Sequence, residues 1–224
     1  MDEQSLALSF GDSLTEEVSG IAGEYVELGL DALTEDGLFK ELPFVSSVVA
    51  VYRIGKSIRE RHHVAKLIAF LNEINKGIAD EEKRQQYQEK FASNEKFRNQ
   101  ELEYILVLID RYISFDKPQM LAKLYLAYLD GTITWVEFTM YAEIVDRILP
   151  GDITILYEYS RDTIDTRTVE PVIDRIQRLV SVGLLTEKIK PVYFYNGYGN
   201  KSSVIDMEGY SLTQFGEKLV NILR

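Results

Sequence analysis

Several absences narrow the reading of this 224-residue chain before any pattern is considered. It contains no cysteine, which removes disulfides, thiol nucleophiles and every cysteine-based metal site. It has two histidines, adjacent at His62 and His63, and one tryptophan, Trp135. Neither histidine has a histidine or carboxylate four residues on, where the same helix face would return; those positions hold Lys66 and Leu67. Histidine-dependent catalysis and histidine-rich metal binding are therefore not expected, and the pair is read as solvated or partly packed. No window approaches about 18 uncharged apolar residues, and Met1-Asp2-Glu3-Gln4 lacks the basic flank of a secretory signal, so a soluble cytoplasmic protein is expected. Phosphate-cradling glycine loops, a nucleophile elbow and a dinucleotide fingerprint are also missing. The expectation is a non-enzymatic protein without a cofactor.

What is present is a 46% apolar composition, enough for a sizeable core, and a net charge of −11 distributed unevenly. Residues 1–50 carry −10, residues 51–66 carry +4, residues 67–150 carry −4, and residues 151–224 carry −1. An acidic arm thus leads into a basic helix with Arg53, Lys56, Arg59, Arg61 and Lys66. Such segregation suggests pairing of opposite patches, with residues 1–36 shielding the basic face.

Apolar spacing predicts helices over 13–33, 45–58, 64–76, 80–91, 94–112, 117–128 and 133–149, and hence a mainly α protein. The stretch from Val45 to Ile54 is the most apolar of the chain. It reads as a buried helix, with a membrane-surface segment or a self-association helix as the alternatives. Glu101, Glu103, Asp110 and Arg111 share one helix and read as a solvated face, since about 10 Å of helical rise between Glu103 and Asp110 prevents joint acid–base work. Pro150-Gly151 is read as ending the helical region.

Two stretches resemble known spellings. Asp130-Gly131-Thr132-Ile133-Thr134-Trp135-Val136-Glu137 resembles the second half of an EF-hand calcium loop, which makes Asp130, Thr134 and Glu137 weak metal candidates. Leu126 and Tyr128 stand where the first ligands would be, and the plainer reading is a turn former at Asp130 with Thr134 and Glu137 as a capping box. The same spelling over residues 64–149 is similar to helical domains of the tellurite-resistance type. After residue 150 the order is helix (Ile153 to Tyr159), helix (Thr168 to Val182), Gly183-Leu184-Leu185, an aromatic segment bending at Gly197 and Gly199, and Tyr210-Ser211-Leu212-Thr213-Gln214-Phe215-Gly216-Glu217-Lys218-Leu219. This resembles winged-helix regulators of the MarR and PadR type, which implies a winged helix and, more weakly, DNA binding.

The expected architecture is an N-terminal multi-helix domain followed by a C-terminal winged helix with a short β-hairpin wing. Three parts are expected: residues 1–62 as arm and amphipathic helices, 63–150 as a helical domain, 151–224 as the winged helix. The second helix would bury Val169, Val172, Ile173, Ile176, Leu179 and Val180 and present Glu170, Asp174, Arg175, Gln177, Arg178 and Ser181. Partner contacts are expected from Arg161, Arg167, Arg175, Gln177, Arg178, Lys188, Lys190, Tyr195, Tyr198 and Lys201. The acidic residues on the same helix and the aromatic wing favour a protein partner or self-association, including a homodimer; duplex DNA is the alternative, and a membrane is not expected.

Overall fold

The structure, a computed structural model, describes residues 58–78, 82, 85–87, 89, 95–161, 173–195 and 201–224. The helix expected over 13–33 and all but the last residue of that expected over 45–58 lie outside these residues, as do the acidic arm and its shielding role. The chain divides into two compact units, Met1–Asp146 and Arg147–Arg224.

In the first unit α1 spans Ile58–Gly77, α2 Glu95–Arg111, α3 Asp116–Leu129 and α4 Trp135–Arg147. Every residue of α1 from His63 to Asn72 is buried, so this stretch of the helix is enclosed on all sides, in keeping with its largely apolar composition. That includes Lys66, expected on an open basic face. Its ammonium instead donates to the backbone carbonyls of Asp110 at 2.8 Å and Tyr112 at 2.6 Å, at the C-terminal end of α2. A helix C-terminus leaves carbonyls without partners and carries partial negative charge, so a buried cation there satisfies both. Burial, the largest influence, lowers the Lys66 pKa, while Asp110 opposes the shift.

The stripe Leu102, Ile105, Leu106, Leu108 and Ile109 of α2 is buried, and Pro118 sits in the first turn of α3, where no amide hydrogen is required. The core is notably aromatic. Trp135 stacks on Phe138 with centroids 4.8 Å apart and planes at 23°; Tyr125 meets Phe138 edge-on at 5.7 Å, and Tyr104 meets Trp135 edge-on at 5.9 Å. These are the geometries that ring quadrupoles favour.

The face of α2 expected to be solvated is in part tied to its neighbours. Glu101 accepts from the Tyr128 hydroxyl at 2.6 Å, Arg111 pairs with Asp146, and Asp110 lies 3.4 Å from Arg59 and 3.2 Å from His63. His63 is buried, and desolvation brings its pKa down to about 4 against the opposing pull of Asp110. His62 is half-buried, its ring 4.8 Å from that of Phe115.

In the second unit α5 spans Pro150–Ser160, α6 Ile173–Ser181, β1 Leu185–Tyr195, β2 Lys201–Leu212 and α7 Gln214–Leu223. Pro150, read with Gly151 as ending the helical region, is itself the first residue of α5: its fixed φ and missing N–H suit the first helical position. The strands pair antiparallel from Leu185 with Leu212 to Tyr195 with Lys201. Helix, helix, hairpin and closing helix form a winged-helix-like arrangement behind a multi-helix region, so the protein is mainly α with a hairpin wing.

Candidate functional site in the winged-helix unit

The joint between α5 and α6 is set by one carboxylate. Asp152 is the third residue of α5 and has no exposed surface. Its Oδ2 accepts from the Leu149 backbone N–H at 2.8 Å, closing the helix N-terminus, and also from Arg178 Nε at 2.7 Å; Oδ1 accepts from Arg178 Nη2 at 3.2 Å. The guanidinium fork therefore grips both carboxylate oxygens, and a charge that would otherwise be costly to bury is neutralised and hydrogen-bonded. This pairing raises the Arg178 pKa further. Arg178 was expected on the outward face of the second helix. Its guanidinium turns instead toward α5.

The remainder of that helix behaves as its spacing requires where it is described. Ile176 and Leu179 are fully buried, Ile173 and Val180 are half-buried, and Asp174, Arg175, Gln177 and Ser181 are exposed. Arg175 lies near the start of α5, where a Cβ placed on Gly151 would come within 3.2 Å of Nη1. Positions 162–172, among them Arg167, Val169, Glu170 and Val172, fall outside the described residues.

The helix then ends in a Schellman turn. Leu184 N–H donates to Leu179 O and Gly183 N–H to Val180 O, both at 2.9 Å, with Gly183 at φ +77°. That is why the Gly-Leu-Leu exit has its form: glycine takes the left-handed position, and Leu184 and Leu185 turn inward to full burial. The second motif closes onto the first. Thr213 caps α7 by accepting from Gly216 N–H at 2.9 Å, while its hydroxyl donates to Gly183 O at 2.7 Å. Gly216 passes so close to this turn that a Cβ would stand 2.3 Å from the Leu184 carbonyl oxygen.

On the wing, Lys188 and Lys190 are exposed beside two large apolar side chains, Ile189 at 60% and Tyr193 at 51% exposure. Tyr195 and Lys201 are paired at the far end of the described ladder, and Tyr198 lies outside it. Arg161 is exposed at the C-terminal end of α5. A polar cleft of about 270 Å³ beside α7 is lined by Tyr159, Ser160, Glu217, Asn221 and Arg224, with Leu212 and Val220.

The calcium-like turn of the first unit has another role. Gly131 N–H donates to Tyr128 O and Thr132 N–H to Ala127 O, with Gly131 at φ +76°, so the Asp-Gly pair is a Schellman terminus for α3. Thr134 N–H donates to Glu137 Oε2 at 2.8 Å and Glu137 N–H to Thr134 Oγ1 at 3.2 Å, a capping box that starts α4. Asp130 accepts from the Tyr87 hydroxyl. The Thr134 and Glu137 oxygens are thus engaged at a helix start and the Asp130 carboxylate by Tyr87, and among the described residues no three Asp, Glu or His side chains converge as metal ligands. No helix among them is long and apolar enough to cross a membrane.

Two contacts that sequence reasoning missed bear most on this site and on the first unit: the Asp152–Arg178 clamp and the Lys66 cap. An aspartate two places after a helix-opening proline was a signal for the first. No local pattern marks the second. Compared with protein-family models, curated proteins and solved structures, the chain matches none of them, so the likenesses to the MarR, PadR and tellurite-resistance types gain no support from homology.

Proposed function

We propose that this is a non-enzymatic regulatory or interaction protein of the cytoplasm, whose winged-helix unit docks onto a protein partner. The observation that carries the reading is the engagement of Arg178 by Asp152. A helix that reads DNA needs its cations free to meet phosphates and base edges. Here one of the two arginines on the described part of α6 is bound, and the exposed Asp174 stands next to the other. Residues 151–224 carry −1 in all, with no net positive charge to hold a polyanion against salt. The wing adds Ile189 and Tyr193, the kind of exposed apolar and aromatic surface that anchors protein interfaces. Residues 1–62, 63–150 and 151–224 are taken as arm, helical domain and docking domain.

Duplex DNA is the second reading, and the exposure of Arg175, Lys188 and Lys190 is what favours it. A place among MarR- or PadR-type regulators would go with that alternative, in which Arg161, Gln177 and Lys201 would add contacts. Fluorescence anisotropy of labelled duplexes against the full chain separates the readings. We expect no binding that persists at physiological ionic strength, and a photoreactive residue at Tyr193 should capture protein in the native host. A salt-dependent shift of DNA that disappears in the Arg175→Ala, Lys188→Ala, Lys190→Ala triple variant would reverse the order.

A further inference from the structure

The two outer edges of the hairpin differ. Among the described residues the sheet holds β1 and β2 alone, so each strand has one ladder side with no strand on it. Pro191 has no amide hydrogen, and it is paired with Ile205. Antiparallel residues directly opposite either exchange both backbone hydrogen bonds or turn their backbone groups away from each other, and a proline can occupy only the second kind of position. The alternation then continues along the ladder. Residues 189, 191 and 193 of β1, and 203, 205 and 207 of β2, direct their N–H and C=O groups outward.

On β1 that outward row is interrupted at its centre by Pro191 and flanked by the exposed Lys188 and Lys190, two devices that keep a further strand off an edge. The row on β2 has neither proline nor central charge. From Lys201 to Met207 the strand has Val204 and Ile205 at its middle. Its ladder is disturbed only beyond that segment, where Lys188 pairs with Gly209 and Ile189 with Met207, leaving Glu208 as the extra residue of a bulge.

We propose that the outer edge of β2 is a self-association site, at which a second copy of this chain adds its own β2 in antiparallel fashion to give a four-stranded sheet. This rests on the reading of the unit as a protein-docking module and names one partner for it. The difference between the edges selects the occupant. Pairing β2 with β2 uses the same edge twice and leaves only the two Pro191-bearing edges outside, so the assembly closes at two; pairing β2 with β1 would propagate, and Pro191 opposes it. The sequence also suits a two-fold centred on Val204. Val204 is then opposite its counterpart, Ser203 opposite Ile205, Ser202 opposite Asp206 and Lys201 opposite Met207, with no like charges opposed.

The test uses the full chain in sedimentation velocity over a broad concentration range. The wild type should sediment as a dimer. Ile205→Pro, which removes only an outward N–H, should shift the mass to that of the monomer with an unchanged far-ultraviolet circular dichroism spectrum. Because the chain has no cysteine, Val204→Cys supplies a second measurement. A self-opposed, non-hydrogen-bonded pair places its Cα atoms about 4.5 Å apart, within disulfide reach, so mild oxidation should yield a covalent dimer, and Thr186→Cys on β1 should not. Should Ile205→Pro unfold, the cross-link decides alone. A monomeric wild type, open-ended polymers, a dimer that Ile205→Pro leaves intact, or no Val204→Cys cross-link would overturn the proposal. A monomer that is still captured by protein at Tyr193 would sink this inference while leaving the docking function standing.

Discussion

The two units are held together by different means. In the first, α1 to α4 surround an aromatic cluster in which Tyr104, Tyr125, Trp135 and Phe138 meet at centroid distances of 4.8 to 6.5 Å, and polar groups mostly finish helix ends at the margin. The second also buries apolar side chains, but its turns and helix joint are fixed by a few backbone positions and one ion pair: Gly183 at φ +77°, Gly216 against the Leu184 carbonyl, and Asp152 within the Arg178 fork. Bulk side-chain burial tolerates movement and loses energy in proportion to the volume removed. A backbone approach tolerates no added atom. Truncation in the aromatic cluster is therefore the sharper test of the first unit, and enlargement at these backbone approaches the sharper test of the second.

The largest expected effect is Phe138→Ala. This fully buried ring contacts Trp135, Tyr125, Tyr104 and Tyr128, and its loss should cost about 3–5 kcal/mol. A urea titration followed by emission of the single tryptophan, which stacks on that ring, would measure it; a midpoint close to wild type would show that the cluster is not the source of stability.

Acid should expose the next largest effect. The folded-state pKa of His63 is lowered from 6.5 to about 4 by burial, so in that interval the unfolded chain binds more protons than the folded one. Stability is fully present above about 6.5 and declines as pH falls toward about 4, by at most roughly 3 kcal/mol. His63→Gln should flatten this part of the profile relative to wild type. An equal slope in both proteins would assign the acid sensitivity to carboxylates.

The third comparison sets two glycines of the second unit against each other. Gly216→Ala drives a methyl group into a backbone carbonyl at 2.3 Å and should cost about 1–3 kcal/mol. Gly151→Ala meets only the movable end of Arg175 at 3.2 Å, and the helix propensity it gains should offset that contact, leaving the melting temperature unchanged or slightly raised. Equal losses at the two positions would mean that backbone approach does not govern this unit.

How much could be read from the chain alone followed the range of each interaction. The Thr134–Glu137 box, the Gly183 turn and the Thr213 cap each close within five residues, and their spellings are visible because a helix end has few solutions. Gly131 shows the limit of such spellings. An Asp-Gly turn followed by Glu six residues on suits both a calcium loop and a helix–helix turn, and only the missing oxygens at Leu126 and Tyr128 distinguish them. Contacts that span the fold left little or no local trace. Lys66 is bonded to carbonyls 44 and 46 residues away, Arg178 to a carboxylate 26 residues away, and Tyr128 to Glu101 across 27. Spacing places Lys66, Arg178 and Glu101 on solvent-facing surfaces because charge is ordinarily solvated; burial with a partner is the exception that spacing cannot reveal. The edge asymmetry of the hairpin is intermediate, since Pro191 is plain in the sequence but gains its meaning only from its pairing with Ile205.

The Arg178 fork has one more consequence. Because it ties the opening turn of α5 to the last turn of α6, the angle between these helices is fixed within the unit itself. On the proposed docking reading, recognition would proceed as rigid docking, with little ordering entropy lost on contact. Mutations around it should alter how long a complex lives more than how fast it forms.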